Sequence, residues 1–477
     1  MVLASVKLDR VAGVMVGMAA GDALGAGYEF RELAPPVPEM IGGGLGHWEP
    51  GEWTDDTQMA ICIANAAATG TLDPVAVAGN FLGWFQSGPA DVGIQTRAVL
   101  GAATSTAEVA AVAAAYFADH PNSAAGNGSL MRTAPVALAH LGDDAALAAK
   151  ARVVSDLTHG DPLAGDACVL WCVAIDRAIR EGRLDGIRDG LGLLPAERRG
   201  FWEARIAEAE TEPPASFNPN GYVVPALQAA YAAAGQSPIP AEQPCRHLHD
   251  ALCAAVRIGN DTDTVAAIAG GLLGARWGAS AVPAGWKTQL QGWPGYQARD
   301  LVRLAVLTAG GGHDSSGWPK AASLTDFYAH SYGTHTVNVA LAEDPGVTLG
   351  NFAGLIALEP PYPDVVVSLC RVGGEDVPAG TLSHEVWLID EAAPADNPNL
   401  EFILTDLAEQ TVAWRNQGKT VFVHCVMAES RTPTVAAAYL AHRFGISGKE
   451  ALSRVKAVLP QAHPNAGFVA ALSQIWP

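Results

Sequence analysis

The sequence is poor in charged residues, and above all in lysine. Only 16% of its 477 residues are charged, and 29 basic side chains stand against 49 acidic ones, for a formal net charge of −20. Nucleic acids and anionic membranes are bound through basic surfaces. The composition therefore predicts no nucleic-acid partner and no membrane partner, although it does not exclude a local anion pocket.

Cysteine is also scarce. The seven cysteines are scattered and odd in number, and no pair of CxxC motifs indicates a zinc site; this count suits a reducing compartment better than a disulfide scaffold. A reducing cytoplasmic location is predicted. Lysine supplies only 7 residues, whereas alanine and glycine are abundant, and this bias indicates a GC-rich bacterial source.

Long hydrophobic runs are missing as well. The apolar stretches at 11–20 and 265–275 are shorter than the roughly 20 residues that a membrane-spanning helix needs, so we predict two buried helices. Because 49% of the residues are hydrophobic, the chain can bury a large core, and its length favours two domains.

The sequence pattern changes near residue 310. Before it, alanine-rich stretches have helical spacing, at 60–69, 108–117, 166–181, 224–234 and 247–278. After a Gly- and Ser-rich stretch come β-branched runs at 335–341, 364–369, 385–390 and 420–424, with helical stretches at 400–416 and 432–444. We therefore predict an all-α domain over 1–310, a linker over 311–324 and an α/β domain over 325–477.

Two acidic clusters stand out in the first part, WTDDT at 53–57 and GNDTDT at 259–264. Carboxylates crowded this closely repel one another unless a cation neutralises them, and hard oxygen ligands suit Mg²⁺ or Mn²⁺. The alternative is that these Asp and Thr residues only cap helices. Two such clusters, each followed by an apolar helix, favour a two-metal site.

These clusters belong to a longer series of motifs, which resembles the ADP-ribosylglycohydrolase family. The matching pieces come in the family's order over about the first 300 residues: GDALG at 21–25, Tyr28-Glu29, WTDDT, GNGSLMR at 126–132, THG at 158–160 and GNDTDT. The resemblance implies an all-α fold and a centre of two Mg²⁺ or Mn²⁺ ions. The metal ligands that it implies are Thr54, Asp55, Asp56, Asp261, Asp263 and Thr264.

The same resemblance implies hydrolysis of the glycosidic bond in an ADP-ribosylated protein or a small-molecule ADP-ribose conjugate. Glu29 and Asp56 would be catalytic carboxylates. The ADP-ribose pocket would be lined by Asn127, Gly128, Ser129 and His159. The alternative interpretation, without the resemblance, is that Glu29 is a surface acid, Asn127 forms a turn and His159 is a polar residue near a helix start.

The last third of the chain contains HCVMAESRT at 424–432, a β-run that ends in His-Cys and is followed by Arg-Thr and a helix. A loop that wraps into a helix N-terminus aims backbone N–H groups at an anion and favours a thiolate at Cys425. Arg431 can hold two phosphoryl oxygens, Ser430 and Thr432 would line the phosphate site, and the Thr432 hydroxyl can stabilise the leaving thiolate. The alternative is a buried structural cysteine on a strand.

This segment resembles the dual-specificity group of cysteine-based phosphatases, which implies a phosphorylated substrate and no metal in this domain. The resemblance implies an Asp upstream that protonates the leaving group; Asp390 is favoured because it ends a strand-like run, and Asp396 is the alternative. Ala428 stands where the group usually has glycine, and Glu429 adds negative charge to the loop. The sequence therefore predicts a bifunctional hydrolase. The alternative is a scaffold that binds ADP-ribose and reads phosphate with a silent phosphatase domain.

Overall fold

The computed structural model describes residues 5–31, 35–313 and 317–477, which form two compact units. The first unit takes the chain up to Val282 and then from Gln289 to residue 313. The second takes Pro283–Thr288 and the chain from residue 317 onward. The segment Pro283–Thr288 thus groups with the second unit, although it lies within the predicted first domain.

The first unit is helical. Its helices are α1 (Ser5–Gly25), α2 (Asp55–Ala67), α3 (Pro74–Gln86), α4 (Ile94–Ala102), α5 (Val109–Asp119), α6 (Ala134–Ala139), α7 (Asp144–Asp156), α8 (Pro162–Glu181), α9 (Ala196–Thr211), α10 (Val223–Gln236), α11 (His247–Val256), α12 (Thr262–Trp277) and, after α13 (Ala284–Lys287) of the second unit, α14 (Ala298–Ala309). Two short antiparallel strands, β1 (Gln291–Gly292) and β2 (Tyr296–Gln297), precede α14.

Helix α1 is the centre of this unit and contacts α2, α6, α8, α11, α12 and α14. Together with residues 26–28 it is long and apolar enough to cross a membrane by length and composition, but its apolar stretch is wholly buried in the protein. The two predicted buried helices, at 11–20 and 265–275, are the central parts of α1 and α12.

Helices α1 and α12 approach each other closely along a stripe of small residues. A Cβ atom added at Gly17 would lie 2.5 Å from the carbonyl oxygen of Gly270, and one at Gly274 would lie 1.9 Å from that of Gly13. At the end of α1, a Cβ atom at Gly25 would lie 2.4 Å from the Cα atom of Asp263. Only glycine permits this backbone contact, which brings the C-terminus of α1 to the N-terminus of α12.

The second unit contains a five-stranded sheet in the order β3-β4-β7-β5-β6, parallel except for β3. The strands are β3 (Asn338–Ala340), β4 (Val347–Asn351), β5 (Val365–Ser368), β6 (Leu382–Glu385) and β7 (Val421–Cys425). The helices are α13, α15 (Thr325–Tyr332), α16 (Phe352–Ile356), α17 (Leu400–Asn416), α18 (Arg431–Phe444), α19 (Gly448–Val458) and α20 (Ala466–Ile475). Strand β7 is central and buried at every position, as expected for a parallel strand covered on both faces.

The predicted fold classes are confirmed, with corrections to single elements. The helical stretch predicted over 247–278 is two helices, because the chain turns at 257–261. The strand predicted at 385–390 is wrong: β6 ends at Glu385, and beyond the hydrogen bond from the N–H group of Val386 to the carbonyl oxygen of Ser368 the described chain forms no strand there. Strand β4 was not predicted. It contains Gly350, which packs against the ring of Phe422 and weakens the β-pattern.

The predicted linker at 311–324 includes residues 314–316, which lie outside the described residues. Its second half is not free in solvent. Trp318 is buried, and the guanidinium carbon of Arg371 lies 4.8 Å from the centroid of its ring.

The close contact of α1 and α12 makes a prediction about stability. We expect Gly274→Ala to lower the free energy of unfolding by about 1–3 kcal/mol or more, because the new methyl group overlaps backbone atoms of α1. Gly83→Ala is the matched control: this exposed glycine of α3 has open space around it, and alanine should stabilise the helix by roughly 0.5–1 kcal/mol. Urea unfolding followed by tryptophan fluorescence measures both, and equal shifts of the two midpoints would contradict the contact.

Candidate active sites

Six acidic side chains of the first unit lie together and are called here the carboxylate cluster. They come from the last turn of α1, the first turns of α2 and α12, and the residues that flank these helices. The members are Asp22, Glu29, Asp55, Asp56, Asp261 and Asp263. None of them is more than 9% exposed, so the protein removes six carboxyl groups from water at one place.

Within the cluster the carboxylate oxygens are close enough to share a cation. Oxygens of Asp22, Asp56 and Asp263 lie within 4.8 Å of one another, and so do those of Glu29, Asp261 and Asp263. Asp263 belongs to both groups and lies between them. The fold thus brings the two acidic sequence motifs, some 200 residues apart, into one site.

The predicted hydroxyl ligands are also there. The hydroxyl groups of Thr54 and Thr264 donate hydrogen bonds to Oδ2 of Asp56, at 3.1 and 3.4 Å. Both threonines are buried. They orient the Asp56 carboxylate from two sides, and Oδ1 of Asp56 remains buried without a hydrogen-bond partner among the described residues.

The electrostatics of the cluster favour a cation. Among residues 5–31, 35–313 and 317–477, no basic side chain forms an ion pair with any of its six members. Burial raises the pKa of Asp22 to about 6, and burial together with the charges of Asp261 and its neighbours raises the pKa of Glu29 to about 8. For Asp263, burial and then the charge of Glu29 hold the pKa well above its usual range. A bound divalent cation would remove this cost.

Helix capping does not account for the N-cap residue of either motif. Thr54 and Asp261 occupy the N-cap positions of α2 and α12, but neither side chain accepts a hydrogen bond from the backbone of its helix. Asp73, by contrast, caps α3 by accepting from the N–H group of Val75 at 3.1 Å. Oε2 of Glu29, like Oδ1 of Asp56, is buried and unpartnered in the described structure. An all-oxygen donor set with unpartnered buried oxygens fits Mg²⁺ or Mn²⁺.

The turn at residues 126–129 lies beside the cluster. The side-chain amide of Asn127 donates to Oδ2 of Asp261 at 2.8 Å, and Ser129 accepts from Ser155 at 2.9 Å. A Cβ atom at Gly128 would lie 3.0 Å from the ring of His159, which is 2% exposed. His159 therefore packs against the turn and supports it, and Asn127 joins the turn to the cluster.

Three further residues of this site have no role that the sequence motifs predict. Asp22 accepts hydrogen bonds from the backbone N–H groups of Thr54 and Thr57, at 2.9 and 3.0 Å, and so fixes the start of α2. The only sign of Asp22 in the sequence is that an aspartate follows the apolar stretch at 11–20. For Asp55, burial and then the charge of Asp91, which lies in the loop before α4, hold the pKa well above its usual range. Asn220, which bonds the loop before Asp261, gave no sequence signal.

Comparisons with known proteins give the family of the chain. The profile of the ADP-ribosylglycohydrolase family matches residues 4–314. The chain belongs to the ADP-ribosylglycohydrolase family. It is 30% identical over 320 residues to the ADP-ribosyl-[dinitrogen reductase] glycohydrolase of Rhodospirillum rubrum, covering 63% of this chain and 97% of the relative. It is 32% identical over 291 residues to the ADP-ribosylarginine hydrolase Tri1 of Pseudomonas putida (strain GB-1), covering 58% and 73%.

A solved structure supports the same assignment. The chain described as "ADP-ribosylglycohydrolase-related protein complex" is 27% identical and superposes with a TM-score of 0.51, covering 64% of this chain and 99% of that one. The first unit of the chain therefore has the family's helical fold. The family's hydrolysis of ADP-ribose conjugates is the activity that the comparisons support.

The second unit holds a separate loop between β7 and α18. Cys425 ends the central strand, and Arg431 begins the helix. The backbone carbonyl of Val426 accepts a hydrogen bond from the N–H group of Phe352 at 3.2 Å, which ties the loop to α16. A cleft of about 430 Å³ opens over the loop and is lined by Cys425, Asp390, Glu429, Ser430 and Arg431, among others. The profile of the dual-specificity phosphatase catalytic domain matches residues 384–476.

The upstream acid and the loop arginine face this cleft. Ser430 donates a hydrogen bond to Oδ1 of Asp390 at 2.5 Å, whereas Asp396 lies in a short 3₁₀ helix and does not line the cleft. Nη1 of Arg431 donates to the carbonyl oxygen of Leu369 at 2.7 Å. Its Nε atom is buried without a hydrogen-bond partner in the described structure and lies 3.6 Å from Asp390. The Arg431 guanidinium group thus lies at the cleft with its Nε atom beside the Asp390 carboxylate.

The remaining loop residues differ in where they point. Thr432 is fully buried and its hydroxyl donates to the carbonyl oxygen of Gly350 at 3.3 Å. Glu429 lines the cleft, with Oε2 3.8 Å from Nε2 of His463. Ala428 adopts φ 58°, and its methyl group belongs to the hydrophobic core below the loop. The departure from glycine therefore places a methyl group in the core rather than against the phosphate.

Two substitutions at Ala428 test whether its methyl group is buried in the core at a left-handed φ. We expect Ala428→Gly to change the free energy of unfolding by less than about 1 kcal/mol, because relief of roughly 1–2 kcal/mol of left-handed strain is offset by losing about 0.8 kcal/mol of methyl burial and by glycine's entropy. Ala428→Val should destabilise strongly, since a β-branched residue does not tolerate this φ in a full core. Denaturant unfolding of both variants checks this, and a well-tolerated valine would contradict the geometry.

Proposed function

We propose that the first unit is a metal-dependent hydrolase that cleaves the N-glycosidic bond between ADP-ribose and an arginine side chain of a modified protein. The observation that carries this is the carboxylate cluster, with unpartnered buried oxygens on Glu29 and Asp56 and no basic partner among the described residues. The arginine linkage is favoured because one relative is named an ADP-ribosylarginine hydrolase. Asp91 adds a further negative charge beside the cluster, which suits a cationic leaving group.

The residues have separate tasks in this proposal. Two Mg²⁺ or Mn²⁺ ions, when bound, would polarise the ribose hydroxyls and a water molecule, with Thr54, Asp55, Asp56, Asp261, Asp263 and Thr264 as ligands. Glu29, with its unpartnered Oε2, would accept the proton of the attacking water. Asn127 orients Asp261, and the turn at 126–129 would hold the pyrophosphate. The developing positive charge at the ribose is stabilised by the surrounding carboxylates.

The metal requirement gives a direct prediction. Asp261→Ala should abolish ADP-ribosylarginine hydrolysis, because it removes one ligand and leaves its neighbours repelling each other, and excess EDTA should do the same in the wild type. Asp73→Ala is the matched control, since it removes an exposed aspartate that does cap a helix and should leave hydrolysis intact. Release of ADP-ribose is the measurement, with added Mn²⁺ restoring the EDTA-treated enzyme. Full activity in excess EDTA would refute the metal site.

We propose that the second unit is a phosphomonoesterase. Cys425 would attack phosphorus as the bond to the leaving oxygen breaks, Asp390 would protonate that oxygen, and Arg431 would hold the phosphoryl oxygens in the cleft. The support is the cleft that contains all three side chains together with the dual-specificity phosphatase match.

Alkylation tests the nucleophile. Burial raises the pKa of Cys62 to about 12 and of Cys253 to about 11, and it raises the pKa of Cys168, Cys172 and Cys370 as well. Iodoacetamide near pH 6 should therefore label Cys425 first, and vanadate should protect it. Cys425→Ser should abolish p-nitrophenyl phosphate turnover and leave ADP-ribosyl hydrolysis unchanged. If Cys425 is labelled slowly and vanadate does not protect it, the second unit is catalytically silent and does not bind phosphate.

A further inference from the structure

A second cavity opens beside the phosphate cleft. It has a volume of about 220 Å³, and its apolar walls are formed by α15 and α16 with the first residues of the loop. The principal side chains are Tyr328, Tyr332, Phe352, Ile356, Val426 and Met427. Three of these, Tyr332, Val426 and Met427, also line the phosphate cleft, so the two cavities are neighbours that share a wall.

The cavity is built into the fold. Its floor is the pair Tyr328 and Phe352, which are nearly buried and whose ring centroids are 4.4 Å apart. The hydroxyl group of Tyr328 donates to the carbonyl oxygen of Arg371 at 3.0 Å, which fixes its ring. Because the N–H group of Phe352 bonds to Val426, the position of α16 depends on the phosphate loop. At the rim, Tyr332 and Ile356 are 52% and 41% exposed, so apolar surface faces solvent beside the cavity.

The size of the cavity limits its occupant. It is smaller than the roughly 300–1,000 Å³ of pockets that bind a whole small molecule, so it suits one apolar side chain. Consecutive residues of a peptide lie about 3.8 Å apart at Cα. Because the cavity shares the wall of Tyr332, Val426 and Met427 with the cleft, a side chain one or two positions from a phosphorylated residue in the cleft would reach it. The cleft itself carries Asp390 and Glu429, which disfavour further negative charge beside the phosphate.

We propose that this cavity is a specificity pocket for a phosphopeptide that carries a leucine or an aromatic residue within two positions of the phosphorylated residue. The proposal rests on the phosphatase function of the second unit and extends it to a substrate class. Burial of one such side chain predicts a preference of about 10- to 100-fold in kcat/KM over the matching alanine peptide.

The experiment compares phosphotyrosine peptides that differ only by leucine, phenylalanine, aspartate or alanine at each position from −2 to +2. Wild-type turnover gives the preference. The Cys425→Ser protein, by fluorescence anisotropy, gives the same preference in binding without requiring turnover. Ala329→Leu and Ala353→Leu fill the cavity from its two walls and should reduce the leucine-to-alanine ratio to near one. His330→Leu places the same side chain on α15 outside the cavity lining and should keep the ratio.

The outcomes separate the two proposals. The ratio compares two peptides on one protein preparation, so partial loss of folding does not imitate it. Turnover of p-nitrophenyl phosphate with no apolar preference at any position overturns the pocket and leaves the phosphatase standing. Absence of all turnover, with the binding preference intact and lost in both filled variants, overturns the phosphatase and keeps the pocket. A ratio that survives both filling substitutions also overturns the pocket.

Discussion

The backbone contact between α1 and α12 is the constraint on which the rest of the first unit depends. Without side chains at Gly13, Gly17 and Gly274, the two helices approach until added Cβ atoms would overlap backbone carbonyls. That contact continues to Gly25, which touches Asp263, and places the end of one helix beside the start of the other. Asp22 then reaches across to the start of α2 and adds Asp56 to the site. Three helix termini thus meet where six carboxylates are buried.

The second unit uses a different device. Cys425 is the last residue of the fully buried central strand β7, and a loop of five residues connects this strand to α18. The strain at Ala428 is compensated below the loop, in the core, rather than in the cleft. Both units place their candidate functional groups at helix N-termini. The first unit buries carboxyl groups there, whereas the second places Arg431 at the start of α18.

Much of this could be predicted from the sequence, since both fold classes and the motifs are local patterns. Short motifs placed Asp55, Asp56, Asp261 and Asp263, because each motif starts a helix. Asp22 was passed over because its role depends on which helix packs against α1, which no local pattern states. Strand β4 was missed because its glycine is required by the ring of Phe422, a contact that exists only in the folded sheet. The direction of the Ala428 methyl group also follows only from tertiary packing.

The most direct test of the central claim is a crystal structure of the protein soaked in Mn²⁺, with anomalous scattering measured at the manganese edge. We expect two peaks inside the carboxylate cluster, with Asp263 near both of them and the unpartnered oxygens of Glu29 and Asp56 turned toward them. Fewer than two peaks, or peaks only at surface carboxylates, would contradict the account. In that case the six buried carboxyl groups would have to be held by protonation and not by metal.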